Sequence, residues 1–519
     1  MAMDLTLIAL LALLLGYFAL YIHIKRTPSW QEKGLVPYGP ALLLKTKKGL
    51  GIMDRLSRYK RFWAAYAVLS KFIVLGLMLF ITGLLLYQLT LIPSIPRENA
   101  LGFEYILALP GINPIIPVVY GVVALIVCLF IHEIAHGILT KANDMDVEST
   151  GLLFFVVPIG AFVEPNNEQL QNTTKKKRTS MYAAGAATNF IFAVLFLLLL
   201  TSMMGSVESP YAQQPLLVSV SSGSPSDMAG LQVGMVITEL GGVEIENLDD
   251  FFVGHSSLPG NLLEAKYVLY GESGSTEFVS GVFIESVMSG SPASSIGLEK
   301  GMIIYSVEGT TVTNQQQFND IMSQTVPGQN ISLTVMAYNG TSTQWENVSG
   351  IDSIVLGSGA TEKGYMGITS SYAGMGVLTP ELLLSLISNP YSDTSSAPDF
   401  IYDTLRFLAL PFSGLSPLPA ELTWVFDTGY LGSESFWFIA NTAYWIFWMN
   451  FMVATTNCLP AVPLDGGFIF MDWMDSLVSK LKKKATEEER RRIVSSITTW
   501  LALVILFSVL FMFIGPRLF

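Results

Sequence analysis

The chain has 519 residues, 51% of them hydrophobic, with a mean hydropathy of +0.49 and a net charge of −12. That length exceeds one domain and that hydropathy exceeds a soluble globule's, so a largely membrane-embedded protein of several domains is expected. The charge is uneven: residues 205–430 hold 23 Asp and Glu against 4 Lys and Arg, which excludes nucleic acid as a partner of that block and predicts a water-facing domain on the non-cytoplasmic side.

Residues 4–24 are apolar, long enough to cross a bilayer, and run straight into Lys25 and Arg26. With the basic residues after the apolar stretch and no small-residue cleavage site, this reads as a retained anchor with its N-terminus outside. Ten Lys and Arg between positions 25 and 62 assign that loop to the cytoplasm by the positive-inside rule. A second span is expected over 63–92, ending at Pro93, and a third over 115–141 returns inward. The run Lys175-Lys176-Lys177-Arg178 reads as a solvated inner anchor. Spans four, five and six are expected at 181–204, 436–456 and 493–514, the last preceded by an inner basic stretch from Lys480 to Arg492. Cys128 and Cys458 fall in or beside apolar spans and imply no disulfide framework.

The cytoplasmic half of the third span holds His132-Glu133-Ile134-Ala135-His136, after seventeen residues without charge. The H-E-x-x-H spacing sets two imidazoles one turn apart on one helix face with a carboxylate beside them. Two such histidines can share a tetrahedral zinc ion while the glutamate takes a proton from water. On a soluble helix the same five residues are as readily a packed, hydrogen-bonded core. Inside a hydrophobic span, three ionisable groups on one turn are costly unless paired or coordinated. His23 and His255 are distant in sequence and read as ordinary surface or packing residues.

The acidic block contains a repeat at an offset of 67 residues. Ser219-Val220, Gly223-Ser224-Pro225, Gly230-Leu231, Gly234-Met235, Gly242 and Phe251 recur as Ser286-Val287, Gly290-Ser291-Pro292, Gly297-Leu298, Gly301-Met302, Gly309 and Phe318. Short strands between glycine turns are expected in each copy. The pattern resembles PDZ domains, with Met235 and Met302 where an acidic residue is usual. Such a module takes an extended peptide onto a strand edge; the alternative is a spacer. Asn330, Asn339 and Asn347 open N-x-S/T sequons. Residues 373–435 read as an ordered or interfacial connector.

After the fifth span comes Asn457-Cys-Leu-Pro460-Ala-Val-Pro463-Leu464-Asp465-Gly466-Gly467. Two prolines and two glycines interrupt the helix, and irregular backbone at membrane depth belongs where it is buried or lines a wet cavity. Asp465 is then a third zinc ligand, or else a helix cap. With H-E-x-x-H, Leu464-Asp465-Gly466 and the preceding Asn457-x-x-Pro460 in this order, the chain resembles the site-2 protease family of intramembrane zinc metalloproteases. Gly185-x-x-x-Asn189 looks like that family's G-x-x-x-N, or serves close helix packing. Residues 151–165, with Pro158, Gly160 and Pro165, look like its membrane re-entrant β-loop.

The resemblance implies one zinc per chain on His132, His136 and Asp465, with Glu133 activating water to cut single-span membrane substrates near the inner face. Substrate contacts are expected from Asn457, Pro460, Gly160, Ala161, Phe162 and Asn189, the loop adding a strand and Asn457 a backbone hydrogen bond. The expected fold is a polytopic α-helical membrane protein of about six transmembrane helices in the lipid bilayer, with a re-entrant β-loop and a β-rich extracytoplasmic tandem PDZ-like insertion. Its divisions are 1–62 (anchor and basic loop), 63–204 (first part of the catalytic core), 216–283 and 284–372 (the two modules), 373–435 (connector) and 436–519 (second part of the core). Two other readings are a receptor scaffold with a structural metal and an ion transporter. The spans lack an evident inverted repeat, which counts against the second.

Overall fold

Runs of apolar residues too long for a globular core fold as long helices, and runs rich in β-branched residues between glycines fold as strands. The computed structural model describes residues 5–94, 100–155, 157–253, 258–342, 344–359, 362–392, 394–416 and 418–518, with 5–13, 94, 157–159 and 253 described by backbone alone. His255 lies outside the described residues. The chain divides into two units, 1–198 with 442–519, and 199–441.

The helices that matter to the first unit are α1 (Leu5–Arg26), α2 (Leu50–Ser57), α3 (Lys60–Leu91), α4 (Val118–Ala142), α5 (Lys175–Met204), α6 (Ser433–Asn457), α7 (Asp465–Leu481) and α8 (Glu487–Ile514). Among the described residues four helical stretches, Lys60–Leu91, Val118–Ala142, Lys175–Met204 and Glu487–Arg517, are long and apolar enough to cross a membrane. This is therefore a multi-pass membrane protein, with four such helices rather than six. Helix α6 covers the expected fifth span, but Asn441, Tyr444, Trp445, Trp448, Asn450 and Thr455 dilute its apolar character. Helix α1 covers the first, and its leading residues are described by backbone alone.

Four antiparallel strands, β1 (Leu35–Tyr38), β2 (Ala41–Thr46), β3 (Val147–Phe155) and β4 (Val157–Pro165), form a sheet in that order. The expected β-loop at 151–165 is thus the β3–β4 hairpin, with β4 as an edge strand. Gly151 faces Phe162 across the pair, and a Cβ on Gly151 would lie 2.6 Å from the Phe162 ring. The helical core is built on small residues. Ala183, Ala186 and Ala187 of α5 pack with Val74, Leu77 and Met78 of α3, Ala454 of α6, Cys458 just past its end, and Ile469 of α7. Small side chains let backbones approach closely where lipid offers no hydrophobic drive.

In the second unit both copies of the repeat fold alike. Strand β5 (Leu216–Val220) leads through a Ser224-capped turn to β6 (Val236–Leu240), helix Leu248–Val253, β7 (Leu262–Leu269) and β8 (Glu272–Val279). The second copy runs β9 (Val282–Val287), a Ser291-capped turn, β10 (Ile303–Val307), helix Gln315–Ser323, β11 (Asn330–Asn339) and β12 (Gln344–Asn347). The repeated glycines serve the turns: Gly223 and Gly290 have φ of 76° and 73°, which only glycine adopts at little cost. Phe251 and Phe318 sit in the two cores. A hairpin of β13 (Ile368–Tyr372) and β14 (Met375–Leu378) joins the copies into one sheet, in the order β12-β11-β10-β9-β13-β14-β5-β6-β7-β8. Tyr372, Ala373 and Met375 enter the first copy's core, so that module is completed beyond residue 372. In the connector, helix Ala397–Leu408 turns Asp403, Thr404 and Phe407 inward and leaves Phe400, Ile401 and Tyr402 exposed.

Candidate metal centre

Helical periodicity puts His132 and His136 on one face of α4. Their Nε2 atoms lie 3.1 Å apart, and Asp465 Oδ2 lies 3.3 Å from the first and 3.2 Å from the second. Four-coordinate zinc with bonds of about 2.0 Å has ligand atoms roughly 3.3 Å apart, so this triangle is one face of such a tetrahedron. Among the described residues these three form the group of His, Cys, Asp or Glu placed to hold a metal. Both histidines are buried, and Oδ2 of Asp465 is buried without a hydrogen bond. Two ring nitrogens and an unpaired carboxylate oxygen converging in a dry site want a cation between them. The donor set fits zinc.

The surroundings orient these groups. His136 Nδ1 lies 2.8 Å from the Met181 carbonyl; it donates there, which leaves Nε2 as a lone pair facing the triangle. The Asn189 amide, fully buried, lies 3.2 Å from Nδ1 of His132. Gly185, one turn before Asn189 on α5, faces the centre directly: a Cβ there would come within 2.5 Å of His136 Nε2 and 2.6 Å of His132 Nε2. Asp465 is the first residue of α7, with Leu464 as its cap; it opens a new helix rather than riding on the broken one. The prolines and glycines fold the preceding segment tightly against that start. A Cβ on Gly466 would lie 2.3 Å from the Cys458 carbonyl oxygen.

Glu133 follows His132, roughly 100° round α4. Its Oε2 accepts a 2.8 Å hydrogen bond from the Val163 N–H of edge strand β4. A cavity of about 240 Å³ next to it is lined by Glu133, Ala161, Phe162, Ile52 and Phe130 among others. The structure therefore brings His132, His136 and Asp465 together, and Glu133 with Ala161 and Phe162. Gly160 lies on the same strand opposite Leu153. Asn457 is the half-buried last residue of α6, and Pro460 is buried beyond it. Asn189 lies against Nδ1 of His132.

Three features escaped sequence reasoning. The Val163 N–H and the Met181 carbonyl are backbone groups, invisible in residue identity. The third is the basic run at 175–178, read as a solvated anchor. It opens helix α5, and Arg178 reaches Asp472 at 2.5 Å, with Asp472 itself buried. A buried acidic partner about 300 residues away leaves no local pattern.

Fold and site together define a multi-pass membrane protein with an H-E-x-x-H metal centre among its helices. The model of peptidase family M50 matches residues 120–505, and the chain belongs to that family. This bears out the resemblance to site-2 proteases. Among curated proteins the chain is 29% identical to an uncharacterized protein of Methanocaldococcus jannaschii over 40% of this chain and 54% of that one. It is 26% identical to a putative zinc metalloprotease of Clostridium perfringens over 33% of this chain and 56% of that one. It is 25% identical to the zinc metalloprotease RasP of Oceanobacillus iheyensis over 29% and 36% respectively. The chain spans about half the length or less of the curated relatives it matches.

Proposed function

We propose that this protein is an intramembrane zinc metalloprotease that hydrolyses peptide bonds within or near the transmembrane segments of single-span, membrane-anchored substrates, as in regulated intramembrane proteolysis. The observation that carries this reading is the convergence of His132, His136 and Asp465 on one point, with Glu133 on the intervening turn. One zinc ion per chain, held by these three groups, would acidify a water molecule and polarise the scissile carbonyl. Glu133 Oε1 takes the proton of the attacking water and returns it to the leaving amine. Its Oε2 is held by the Val163 N–H, which fixes the direction in which the free oxygen points.

A helical substrate hides its peptide bonds, so the target segment must be extended. Val163 donates away from β3, and strand alternation then turns the N–H and C=O of Ala161 to the same open edge. A substrate strand laid along this edge enters beside Glu133, with Phe162 lining the adjoining cavity and Asn457 free to bond its backbone. The β3–β4 hairpin is read as re-entering the membrane, the N-terminus as outside, and the metal centre as lying towards the cytoplasmic face; the alternating basic loops support this topology. The repeats then lie outside and offer strand edges to extended peptide ends. The test is cleavage of a single-span substrate by the full chain in nanodiscs. Glu133→Gln should keep its zinc and lose about 10²–10⁴-fold in rate; unchanged cleavage by that variant would remove the reading.

A further inference from the structure

Asp465 meets the histidines only if α7 is docked at one height and one rotation. The segment packed on Gly466 holds the first turn of α7, and the contacts between α5 and α7 hold the rest of the helix. Gly185 of α5 and Asp465 of α7 both face the two imidazoles. One turn along, Tyr182 stacks on Phe468, with ring centroids 4.8 Å apart and planes at 12°. At the next turn Arg178 grips Asp472 with both ends of its guanidinium, Nε at 3.1 Å and Nη2 at 2.5 Å, and Thr179 adds a bond of 3.3 Å. At the turn after that Lys175 pairs with Asp475, which also accepts from Arg490 of α8 at 2.9 Å. Positions 185, 182, 178 and 175 descend α5 in steps that 465, 468, 472 and 475 repeat up α7. Each series is one helix face, so the helices run antiparallel in a single register.

We infer that Arg178 and Asp472 are positioning residues for the metal centre: their paired fork, two helical turns from Asp465, fixes the height and rotation at which α7 presents its carboxylate to His132 and His136. Asp472 is 7% exposed, and a bidentate guanidinium–carboxylate pair specifies orientation as well as distance. A slip of α7 by one residue would turn Asp465 through roughly 100°; it would also strand a buried carboxylate away from its guanidinium. The two ends of the register therefore enforce each other. This inference rests on the metal-site reading proposed above, and on zinc binding rather than on proteolysis.

The experiment measures zinc affinity by chelator competition, and the absorption bands of the cobalt-substituted protein, on monodisperse full chain. Arg178→Lys keeps the charge and loses the fork; Asp472→Asn keeps the shape and loses the charge. Both should bind zinc about 10–100-fold more weakly, with altered cobalt bands, the loss seen when what orients a ligand is removed. The exchange Arg178→Asp with Asp472→Arg should recover affinity to within about threefold, since coupled sites compensate. Wild-type affinity and bands in Arg178→Lys would overturn the inference, as would failure of the exchange to improve on Asp472→Asn. Zinc affinity that follows the register while Glu133→Gln still cleaves would defeat only the proteolytic reading. Cleavage that needs Glu133 while affinity ignores the register would defeat only this one.

Discussion

Gly185 is where a single hydrogen atom decides whether the centre can exist. Its missing side chain leaves the space into which both Nε2 atoms look; Gly185→Ala puts a methyl group in the place of the ion. Zinc affinity should fall by at least about tenfold in a chain that still folds, as metal-site perturbations commonly do, and competition with a chelator reads it. Asn189 works from behind. Its Nδ2 lies 3.2 Å from His132 Nδ1; turning the amide over would set Oδ1, buried without a hydrogen bond, to accept the Nδ1 proton and leave Nε2 as the lone pair. Asn189→Leu should weaken zinc binding about 10–100-fold, whereas a residue that touched only substrate would leave zinc binding unchanged. The metal ligands were legible as residue types at a fixed spacing; the packing role of Gly185 and the depth of Asn189 are facts of helix apposition that no spacing contains.

At the scale of elements, the edge strand β4 carries the proposal for how substrate is held. Ala161 turns its N–H to the open side, so proline there removes a donor without breaking a bond to β3. Ala161→Pro should raise KM by roughly 2- to 10-fold, the worth of one hydrogen bond, with zinc content unchanged; an unaltered KM would show that substrate does not lie along this edge. The sequence made the hairpin readable through Pro158, Gly160 and Pro165, and the helix break through Pro460 and Pro463. It misled at the basic run 175–178, because charge alone does not distinguish a solvated anchor from half of an ion pair. The fifth span was drawn from apolar length, and the amides and indoles of α6 show what length overlooks: a helix can be buried against protein on most sides and still carry polar groups.

For the whole molecule, hydropathy was enough to read a multi-pass membrane protein, because it follows from composition. The repeat at an offset of 67 residues was enough to read two alike modules. That strand β14, beyond the second module, would pair with β5 of the first could not be read, since strand pairing over about 150 residues has no local signature. What joins fold to chemistry is the meeting of α4 and α7 at three ligand atoms. The zinc content of purified full chain, set beside that of Asp465→Ala, tests this most directly. The account predicts one zinc per chain in the first and a loss of about nine-tenths or more in the second, as removal of one of three protein ligands implies. Undiminished zinc in Asp465→Ala would contradict it.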